Sequence, residues 1–346
     1  MTRAVHISSR ARGRLVFTLW VFTWALLPGT ANARECVSDG RYVMGTVLEL
    51  TLCADDPAPL RQQFDPLFTT ATHLDTLLTT YNPTSPVSRL NAAAGQGPFT
   101  VPPEVSDLLT RSLHHTKVTR GTFDVTIGPL MGLWREAERR QTVPTRKELR
   151  KVRRRIGSAQ VGLLPPHSVV LKPGMALDLG GIGKGYALDQ LQQQLTRQHI
   201  QHALLDFGQS SLWALGAPPD APGWRILLQH SNGTHVGVLT LRDQALSISA
   251  SMSQVFEIKR RRYGHMIDPR TGQPLRRDLL ACVIAPTATQ AEALSKALLI
   301  LGEHEGIALL RRVPGVEGML SETMGASWMT PGWRQAVAFS ASPTAR

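Results

Sequence analysis

The first half of the chain carries hydrophobic residues at helical spacing. Apolar side chains recur every three or four positions over residues 60–80 and 103–119, and Pro103 stands where the first turn of a helix accepts proline. The turn-rich stretch 81–97 between them predicts a loop. Ahead of both helices, residues 41–52 (RYVMGTVLELTL) are rich in β-forming side chains and predict one opening strand.

The second half alternates short apolar runs with turn residues. A loop followed by a helix is predicted over 121–139, a short and very basic helix over 145–156, and later helices over 184–197 and 290–301. The predicted strands cover residues 168–171, 176–179, 203–207, 212–215, 224–229, 236–241 and 279–284. Because strands and helices are intermixed and no linker separates them, we expect the α+β class and a single globular domain.

The N-terminus has the pattern of a secretory signal. Four arginines and no acidic residue precede Leu15, residues 15–27 are almost wholly apolar, and small residues occupy both ends of the triplet that closes at Ala33. The apolar run is short for a bilayer span, so we expect cleavage after Ala33 and a periplasmic protein, with an uncleaved anchor as the alternative. Residues 34–330 would then form the domain, followed at 331–346 by a C-terminal strand and tail that the fold can lose.

Composition and charge exclude several classes of protein. Hydrophobic residues make up 42% of the chain and charged residues 18%, which excludes disorder, collagen and a multi-span membrane protein. The formal net charge is +12, and much of the excess lies in two runs at 146–155 and 259–262. Since no aromatic residues interleave to stack on bases, we expect a solvated surface and no nucleic acid. Attraction of an anionic cofactor or an acidic partner protein stays open.

The three cysteines fit an oxidising compartment. Cys36 and Cys53 flank one predicted strand region and could pair, whereas Cys282 lies in the apolar run LLACVIA and is expected to be a buried thiol. No Cys/His spacing indicates zinc.

A glycine-dense segment suggests phosphate binding. Residues 177–189 (LDLGGIGKGYALD) predict a strand, a turn and a helix, so that backbone N–H groups and the positive helix end converge beside Lys184. The spacing fits neither the dinucleotide fingerprint nor the P-loop. A pyrophosphate cradle and a plain structural turn with a surface lysine therefore both stay open.

A second polar cluster lies at residues 263–272 (YGHMIDPRTG). His265, Asp268 and Arg270 could supply a base, the group that orients it and a phosphate partner. The same residues would also make an ordinary β-turn.

Six segments in one order resemble the ApbE family, the FAD:protein FMN transferases. The resemblance covers nearly all of the chain from about Arg41 onward, and the order is more specific than any single motif. The segments are Met44-Gly45-Thr46, residues 81–91 (YNPTSPVSRLN), residues 121–134 (GTFDVTIGPLMGLW), the glycine-rich turn, the His265 turn and residues 291–297 (AEALSKA).

The resemblance implies a periplasmic enzyme with an ApbE-like, T-fold-like domain that binds FAD. It implies that the enzyme splits the pyrophosphate and attaches FMN, through a phosphoester, to a threonine of an acceptor flavoprotein in a membrane redox complex. His265 would be the base, with Lys184 and Asp268 as further catalytic residues. The residues implied in holding FAD are Met44, Tyr81, Asp124, Gly180, Gly181, Lys184, Asp189, Arg270 and Thr271. The membrane would be contacted only through the N-terminal signal.

Four of these residues have an equally simple structural interpretation. Met44 and Tyr81 could be core residues, Asp124 a helix cap, and Asp189 part of an exposed helix face.

The resemblance also implies a Mg²⁺ site, from which this sequence departs. The family usually has Asp and Thr where this chain has Glu292 and Lys296, and these act with a backbone carbonyl of the glycine-rich turn, here Gly183. An ammonium group cannot ligate a cation, so metal use is open. Residues 208–211 (GQSS) depart as well, since a Gly-Gly-Asp pattern is usual there.

Two explanations of the departure compete. In one, Lys296 pairs with Glu292 and its ammonium replaces part of the charge of the metal at the pyrophosphate. In the other, FAD still binds but transfer has been lost, leaving a non-catalytic periplasmic FAD-binding protein. An FAD pyrophosphatase that releases FMN and AMP is a third possibility. We favour the transferase because the His265 turn and the glycine-rich turn are intact.

Overall fold

The computed structural model describes residues 34–230, 232–323 and 325–338. The predicted signal at residues 1–33 lies outside the described residues. The helices are α1 Phe64–Leu78, α2 Pro86–Ala92, α3 Pro103–Val118, α4 Gly128–Arg139, α5 Arg146–Arg153, α6 Gly183–Arg197, α7 Ala288–Leu310 and α8 Pro331–Ala336, with short 3-10 helices at Ala58–Gln63, Val125–Ile127 and Ser158–Gln160.

Sixteen strands accompany these helices in the described residues. They are β1 Glu35–Val43, β2 Thr46–Ala54, β3 Phe99–Thr100, β4 Gly162–Leu164, β5 Ser168–Val170, β6 Ala203–Phe207, β7 Ser211–Leu215, β8 Trp224–Gln229, β9 His235–Leu241, β10 Gln244–Ala250, β11 Val255–Ile258, β12 Arg261–Gly264, β13 Leu279–Ala285, β14 Glu317–Glu322, β15 Ser327–Met329 and β16 Val337–Ala338.

An eight-stranded antiparallel sheet, in the order β1-β2-β6-β7-β10-β13-β14-β15, forms the centre of the fold. Every residue of β13 is buried, because one face packs on α7 and the other on the residues of β8, β9 and α8. This burial on both faces explains the unbroken apolar run in its sequence. Mixed helices and antiparallel sheet confirm the α+β class.

Helices α6 and α7 pack against each other on the sheet. This packing brings the start of α7 next to the glycine-rich turn. A Cβ on Gly185 would lie 2.5 Å from the carbonyl oxygen of Ala288, so the two helices approach more closely than any larger residue permits. Asp189 locks this arrangement, since its carboxylate accepts hydrogen bonds from the N–H groups of Ala288 and Thr289 at 2.7 and 3.0 Å. The start of α7 is thereby fixed against the glycine-rich turn.

The structure corrects four expectations about local structure. The predicted opening strand is a hairpin, because Met44 and Gly45 adopt positive φ and turn the chain between β1 and β2. The predicted loop at 81–97 contains α2, which is capped by Ser85 and buries two apolar side chains. The predicted strand at 176–179 is absent from the described sheets, because both backbone groups of Leu177 bond to the side chain of Asn91 instead of to a strand.

The fourth correction concerns the C-terminal segment. Trp333 in α8 is completely buried beneath the main sheet, so the described part of this segment belongs to the core and is not a dispensable tail. Residues 339–346 lie outside the described residues.

The cysteine predictions are confirmed. Cys36 and Cys53 lie opposite each other on β1 and β2 and form a disulfide. Cys282 is a free, fully buried thiol, and burial raises its pKa to about 12. Among the described residues, no helix combines the length and hydrophobicity that a membrane span needs.

Candidate active site

The glycine-rich turn delivers the chain into the first turn of α6. The N–H groups of Ile182 and Gly183 both donate to the carbonyl of Leu179, at 3.1 and 2.8 Å. Within the described chain no side chain caps the start of α6. These two N–H groups are satisfied within the turn itself, so the start of α6 offers an anion the positive end of its helix dipole. The pyrophosphate cradle stays a prediction.

Lys184 extends from this helix end to the turn between β6 and β7. Its Nζ donates a hydrogen bond to Oγ of Ser210, and that hydroxyl donates to the carbonyl of Phe207 at 3.1 Å. Sequence reasoning marked residues 208–211 only as a departure from the family pattern. Contact between Ser210 and Lys184 had no signal in the sequence, because strand pairing alone brings the two segments together.

Lys296 reaches the glycine-rich turn from α7. Its Cε lies 3.7 Å from the position that a Cβ on Gly181 would occupy. Burial lowers the pKa of Lys296, the charge of Glu292 raises it, and the charge of Lys184 lowers it further. Lys184 stands in the first turn of α6, directly after the same glycines, so the two lysines flank the glycine-rich turn.

Glu292 does not pair directly with Lys296, contrary to the first of the two competing explanations. Its Oε1 accepts a hydrogen bond from the hydroxyl of Ser211 at 2.5 Å, and its Oε2 is buried without a hydrogen-bond partner among the described residues. Ser211 on β7 holds the carboxylate on the sheet side, while the lysine extends towards Gly181. The two groups therefore interact through their charges and not through a hydrogen bond.

His265 lies close enough to Lys296 for the charge of the lysine to act on its imidazole. Its Nδ1 and its backbone N–H both contact the carbonyl oxygen of Gln254 at 3.0 Å. Since a carbonyl only accepts, Nδ1 carries the proton and Nε2 keeps its lone pair in the neutral ring. Burial lowers the pKa of His265, and the charge of Lys296 lowers it further. The ring is therefore neutral and basic at Nε2 near neutral pH.

Asp268 contacts Arg270 and not the imidazole. Its Oδ1 accepts from the backbone N–H and Nε of Arg270 at 2.9 and 3.0 Å, and its Oδ2 accepts from Nη2 at 3.0 Å. The expectation that this carboxylate orients His265 is wrong, since the carbonyl of Gln254 does so. Arg270 and Thr271 are exposed at the tip of the turn.

Met44 lies at the other end of the glycine-rich turn, and Tyr81 lies on the surface near Arg135. The Cε of Met44 lies 3.7 Å from the position of a Cβ on Gly183, and its N–H donates to Oδ2 of Asp75 at 2.9 Å. Tyr81 is 84% exposed, with the guanidinium of Arg135 5.9 Å from its ring centroid. Tyr81 is therefore no core residue, and its ring offers an open surface for stacking a flat ligand.

Asp124 and Asp189 are both occupied by structural contacts. Asp124 accepts from the N–H groups of Thr126 and Ser158 at 2.9 and 3.0 Å, which matches its interpretation as a cap. Asp189 is 4% exposed, so its interpretation as part of an exposed face is wrong. Desolvation by burial raises the pKa of Asp189, and the hydrogen bonds that its carboxylate accepts from α7 only partly offset this rise. Their roles towards FAD stay predictions.

The residues at the predicted metal positions do not suit Mg²⁺. The buried, unpartnered Oε2 of Glu292 is one suitable oxygen, and the carbonyl of Gly183 would be a second. The third position carries the Lys296 ammonium, which repels a cation. In the described chain no three His, Cys, Asp or Glu side chains are grouped to hold a metal. An octahedral cation with a preference for carboxylates is poorly served by this set.

Comparisons with known proteins agree with this geometry. Residues 44–320 match the model of the ApbE family. The chain is 32% identical to the FAD:protein FMN transferase of Treponema pallidum, over 84% of this chain and 85% of the relative. It is 28% identical to the protein of that name from Escherichia coli K12, over 88% and 90%.

Solved structures show the same fold. The apo form of the Pseudomonas stutzeri flavinyl transferase ApbE superposes with a TM-score of 0.77 at 25% identity, covering 88% of this chain and 97% of that one. The ApbE protein of Thermotoga maritima superposes with a TM-score of 0.79 at 23% identity, covering 87% and 99%.

Proposed function

The chain belongs to the ApbE family, and from that premise we propose that it is a transferase that moves FMN from FAD to an acceptor flavoprotein. One observation carries the proposal. Two lysines from distant segments, Lys184 in the first turn of α6 and Lys296 on α7, meet at the glycine-rich turn, where Cε of Lys296 lies 3.7 Å from the position of a Cβ on Gly181. The charge of Lys296 also lowers the pKa of the His265 imidazole, which comes from a third segment. Transfer of a phosphoryl group to a hydroxyl needs this combination of positive charge on the phosphate oxygens and a nearby base.

His265 takes the proton of the acceptor hydroxyl. The carbonyl of Gln254 fixes the proton on Nδ1, so Nε2 is the atom that accepts. The hydroxyl oxygen, for which we propose an acceptor threonine, then attacks the phosphorus of the FMN half. The bond to the bridging oxygen breaks, the threonine phosphoester forms and AMP leaves with the electron pair. Proton removal by a positioned base contributes about 10²–10⁴-fold in rate.

Lys184 and Lys296 stabilise the charge on the pyrophosphate. The start of α6, to which Lys184 belongs, adds the helix dipole. Burial lowers the pKa of Lys296 in the free protein, and a bound dianion raises it again, which favours the charged ammonium when substrate is present. We propose that Lys296 supplies the share of positive charge that a metal would otherwise give, so that transfer does not need Mg²⁺.

The proposal also places the enzyme outside the cytoplasm. The signal-like residues 1–33 and the disulfide between Cys36 and Cys53 both support export to the periplasm. An acceptor there would be a flavin-carrying subunit of a membrane redox complex.

The direct test incubates residues 34–346 with FAD and a flavoprotein domain that accepts FMN from the Escherichia coli relative, with Mg²⁺ or with chelator. We expect the acceptor to gain the mass of FMN and AMP to be released. Free FMN and AMP without labelling would indicate a pyrophosphatase, and bound, unchanged FAD would indicate a binding protein.

The matched variant for this test is His265→Ala. It is expected to lower transfer at least about 100-fold while FAD affinity changes less than about twofold, because the imidazole handles the proton and not the phosphates. Lys117→Ala on α3 is the control, since Lys117 is an exposed surface lysine. Full turnover by the His265 variant would remove the imidazole from the mechanism.

A further inference from the structure

The positive charge of the folded domain is concentrated on one small structural unit. We call the cationic unit the segments 128–156 and 255–264, which contain α4, α5 and the hairpin β11–β12. They share one hydrophobic cluster, formed by Leu130, Trp134, Ala137, Leu149, Ile156, Phe256, Ile258, Tyr263 and Ile267. Hydrogen bonds from the end of α4 also join the hairpin, since Gln141 bonds to the backbone of Glu257 and Lys259 at 2.9 and 2.7 Å.

The cationic unit has 14 basic and 4 acidic side chains. The remainder of residues 34–346 has 20 basic and 22 acidic side chains, and so carries a small negative charge. All 14 basic residues are exposed, and of these 14 only Arg139 and Arg140 form ion pairs with described residues. Surface charge of one sign without internal pairing creates a field that attracts an oppositely charged surface.

The tip of the hairpin carries two basic residues in a backbone conformation that favours other residue types. Lys259 and Arg260 form the two-residue turn between β11 and β12 and have φ values of 48° and 63°. A turn with two positive φ values strongly prefers Asn-Gly, because long side chains are strained there. Two cations in this turn therefore serve something other than the fold.

The cationic unit also carries the catalytic turn. His265 follows directly after β12, and Nε1 of Trp134 donates to the carbonyl of Gly272 at 3.0 Å. A Cβ on Gly272 would lie 3.5 Å from Cδ of Arg153 on α5. A molecule held on the cationic unit is thus held beside the imidazole that must receive its hydroxyl proton.

We propose that the cationic unit is the docking surface for the acceptor protein, and that the acceptor presents an acidic face around its modified residue. The inference rests on the proposed function, which requires a protein hydroxyl to reach His265. An anionic membrane is a poorer match, because Val143 is the only exposed large hydrophobic residue among the described residues of the cationic unit, which leaves little that can insert into lipid. Nucleic acid is a poorer match as well, because the described residues of the unit include no exposed aromatic ring, and Tyr81, near Arg135, would stack a single base.

The test compares three variants with the wild type on the acceptor domain named above. The first is the charge reversal Arg150→Glu/Lys151→Glu/Arg154→Glu on α5. The second is Lys259→Asn/Arg260→Gly, which removes two charges and gives the hairpin its preferred turn, so that it folds at least as well as the wild type. The third, Arg197→Glu/Arg311→Glu/Arg312→Glu, is the matched control, because it reverses three exposed arginines outside the unit.

We expect the α5 reversal to lower kcat/KM for the acceptor about tenfold at low salt, through KM, and the hairpin variant to lower it about threefold. The control is expected to stay within twofold. Raising the salt concentration is expected to reduce the wild-type value towards that of the α5 variant. FAD affinity, followed by flavin fluorescence, is expected to be unchanged in all three.

Several results would overturn the proposal. Equal losses in the control variant, or a parallel loss of FAD affinity, would assign the effect to overall charge or to the nucleotide. Unchanged acceptor kinetics combined with lost binding to phosphatidylglycerol vesicles or to single-stranded DNA would assign the unit to a membrane or to nucleic acid. If the wild type transfers no FMN at all, the proposed function fails, and direct binding of the acceptor to the wild type and the α5 variant still decides whether the surface docks it.

Discussion

Glu292 and Ser211 share a hydrogen bond that leaves the second carboxylate oxygen of Glu292 buried without a partner in the described chain. An unpaired buried carboxylate oxygen is costly unless a cation lies near it. Here the nearby cation is Lys296, whose pKa the carboxylate raises. The carboxylate of Glu292 and the ammonium of Lys296 thus act on each other through charge.

This arrangement makes a prediction about metal dependence. The double variant Glu292→Asp/Lys296→Thr replaces an ammonium by a hydroxyl oxygen and removes the group that repels a cation. We expect its transfer activity to depend on Mg²⁺, while the wild type works equally in Mg²⁺ and in chelator. FMN transfer at varied Mg²⁺ measures this, and the single variant Glu292→Asp is the control. Identical metal profiles for the wild type and the double variant would contradict charge replacement by Lys296.

The pH profile tests the environment of His265. Burial and the Lys296 charge both lower the pKa of the imidazole, so its basic form persists below the ordinary value of about 6.5. We expect kcat/KM to fall as the pH drops through an apparent pKa below that value. Removing a neighbouring positive charge makes protonation easier, so Lys296→Gln should move the apparent pKa upward. An apparent pKa that stays unchanged or falls in Lys296→Gln would show that the charge of Lys296 does not act on the imidazole of His265.

Two glycines in the same segment are expected to respond differently to alanine. A Cβ on Gly185 meets the backbone of Ala288 at 2.5 Å, so Gly185→Ala should lower the free energy of unfolding by about 1–3 kcal/mol. A Cβ on Gly181 has only ordinary contacts, at 3.7 Å to Lys296, and Gly181→Ala should leave stability nearly unchanged. Because that methyl group enters the proposed phosphate site, FAD affinity should fall instead.

Urea unfolding and FAD titration separate the two effects. Gly132→Ala is the control, since Gly132 lies within α4 with no atom within 4 Å of an added Cβ. It should stabilise the protein by about 0.5–1 kcal/mol through helix propensity. Loss of stability in Gly181→Ala equal to that in Gly185→Ala would show that both glycines serve packing.

Trp333 tests the role of the C-terminal segment. Its indole is completely buried against the sheet, so Trp333→Ala should cost about 3–5 kcal/mol of unfolding free energy. Its Nε1 has no hydrogen-bond partner among the described residues, so Trp333→Phe should cost much less. Denaturant unfolding of both variants checks this, with exposed Arg334→Ala as control. A small loss in Trp333→Ala would restore the interpretation of this segment as a dispensable tail.

Periodicity predicted the long elements well, because their signals are local. The helix over 103–119 appears as Pro103–Val118, and the strand over 203–207 appears as Ala203–Phe207. The strand predicted at 176–179 failed because a strand needs a backbone partner, and Asn91, far away in sequence, supplies side-chain hydrogen bonds instead. Local patterns carry no information about such distant competitors.

The sequence by itself determined the α+β class, the family and the residue types that the chemistry needs, because intermixed helix and strand patterns and an ordered set of motifs lie along the chain. Only the tertiary structure decided how these residues are used. It turned Asp268 towards Arg270, bonded His265 to Gln254, and separated Glu292 from Lys296 by giving the carboxylate to Ser211. Each outcome depends on which groups lie within hydrogen-bond distance after the sheet and helices pack, and that distance is a property of the fold and not of the spacing along the chain.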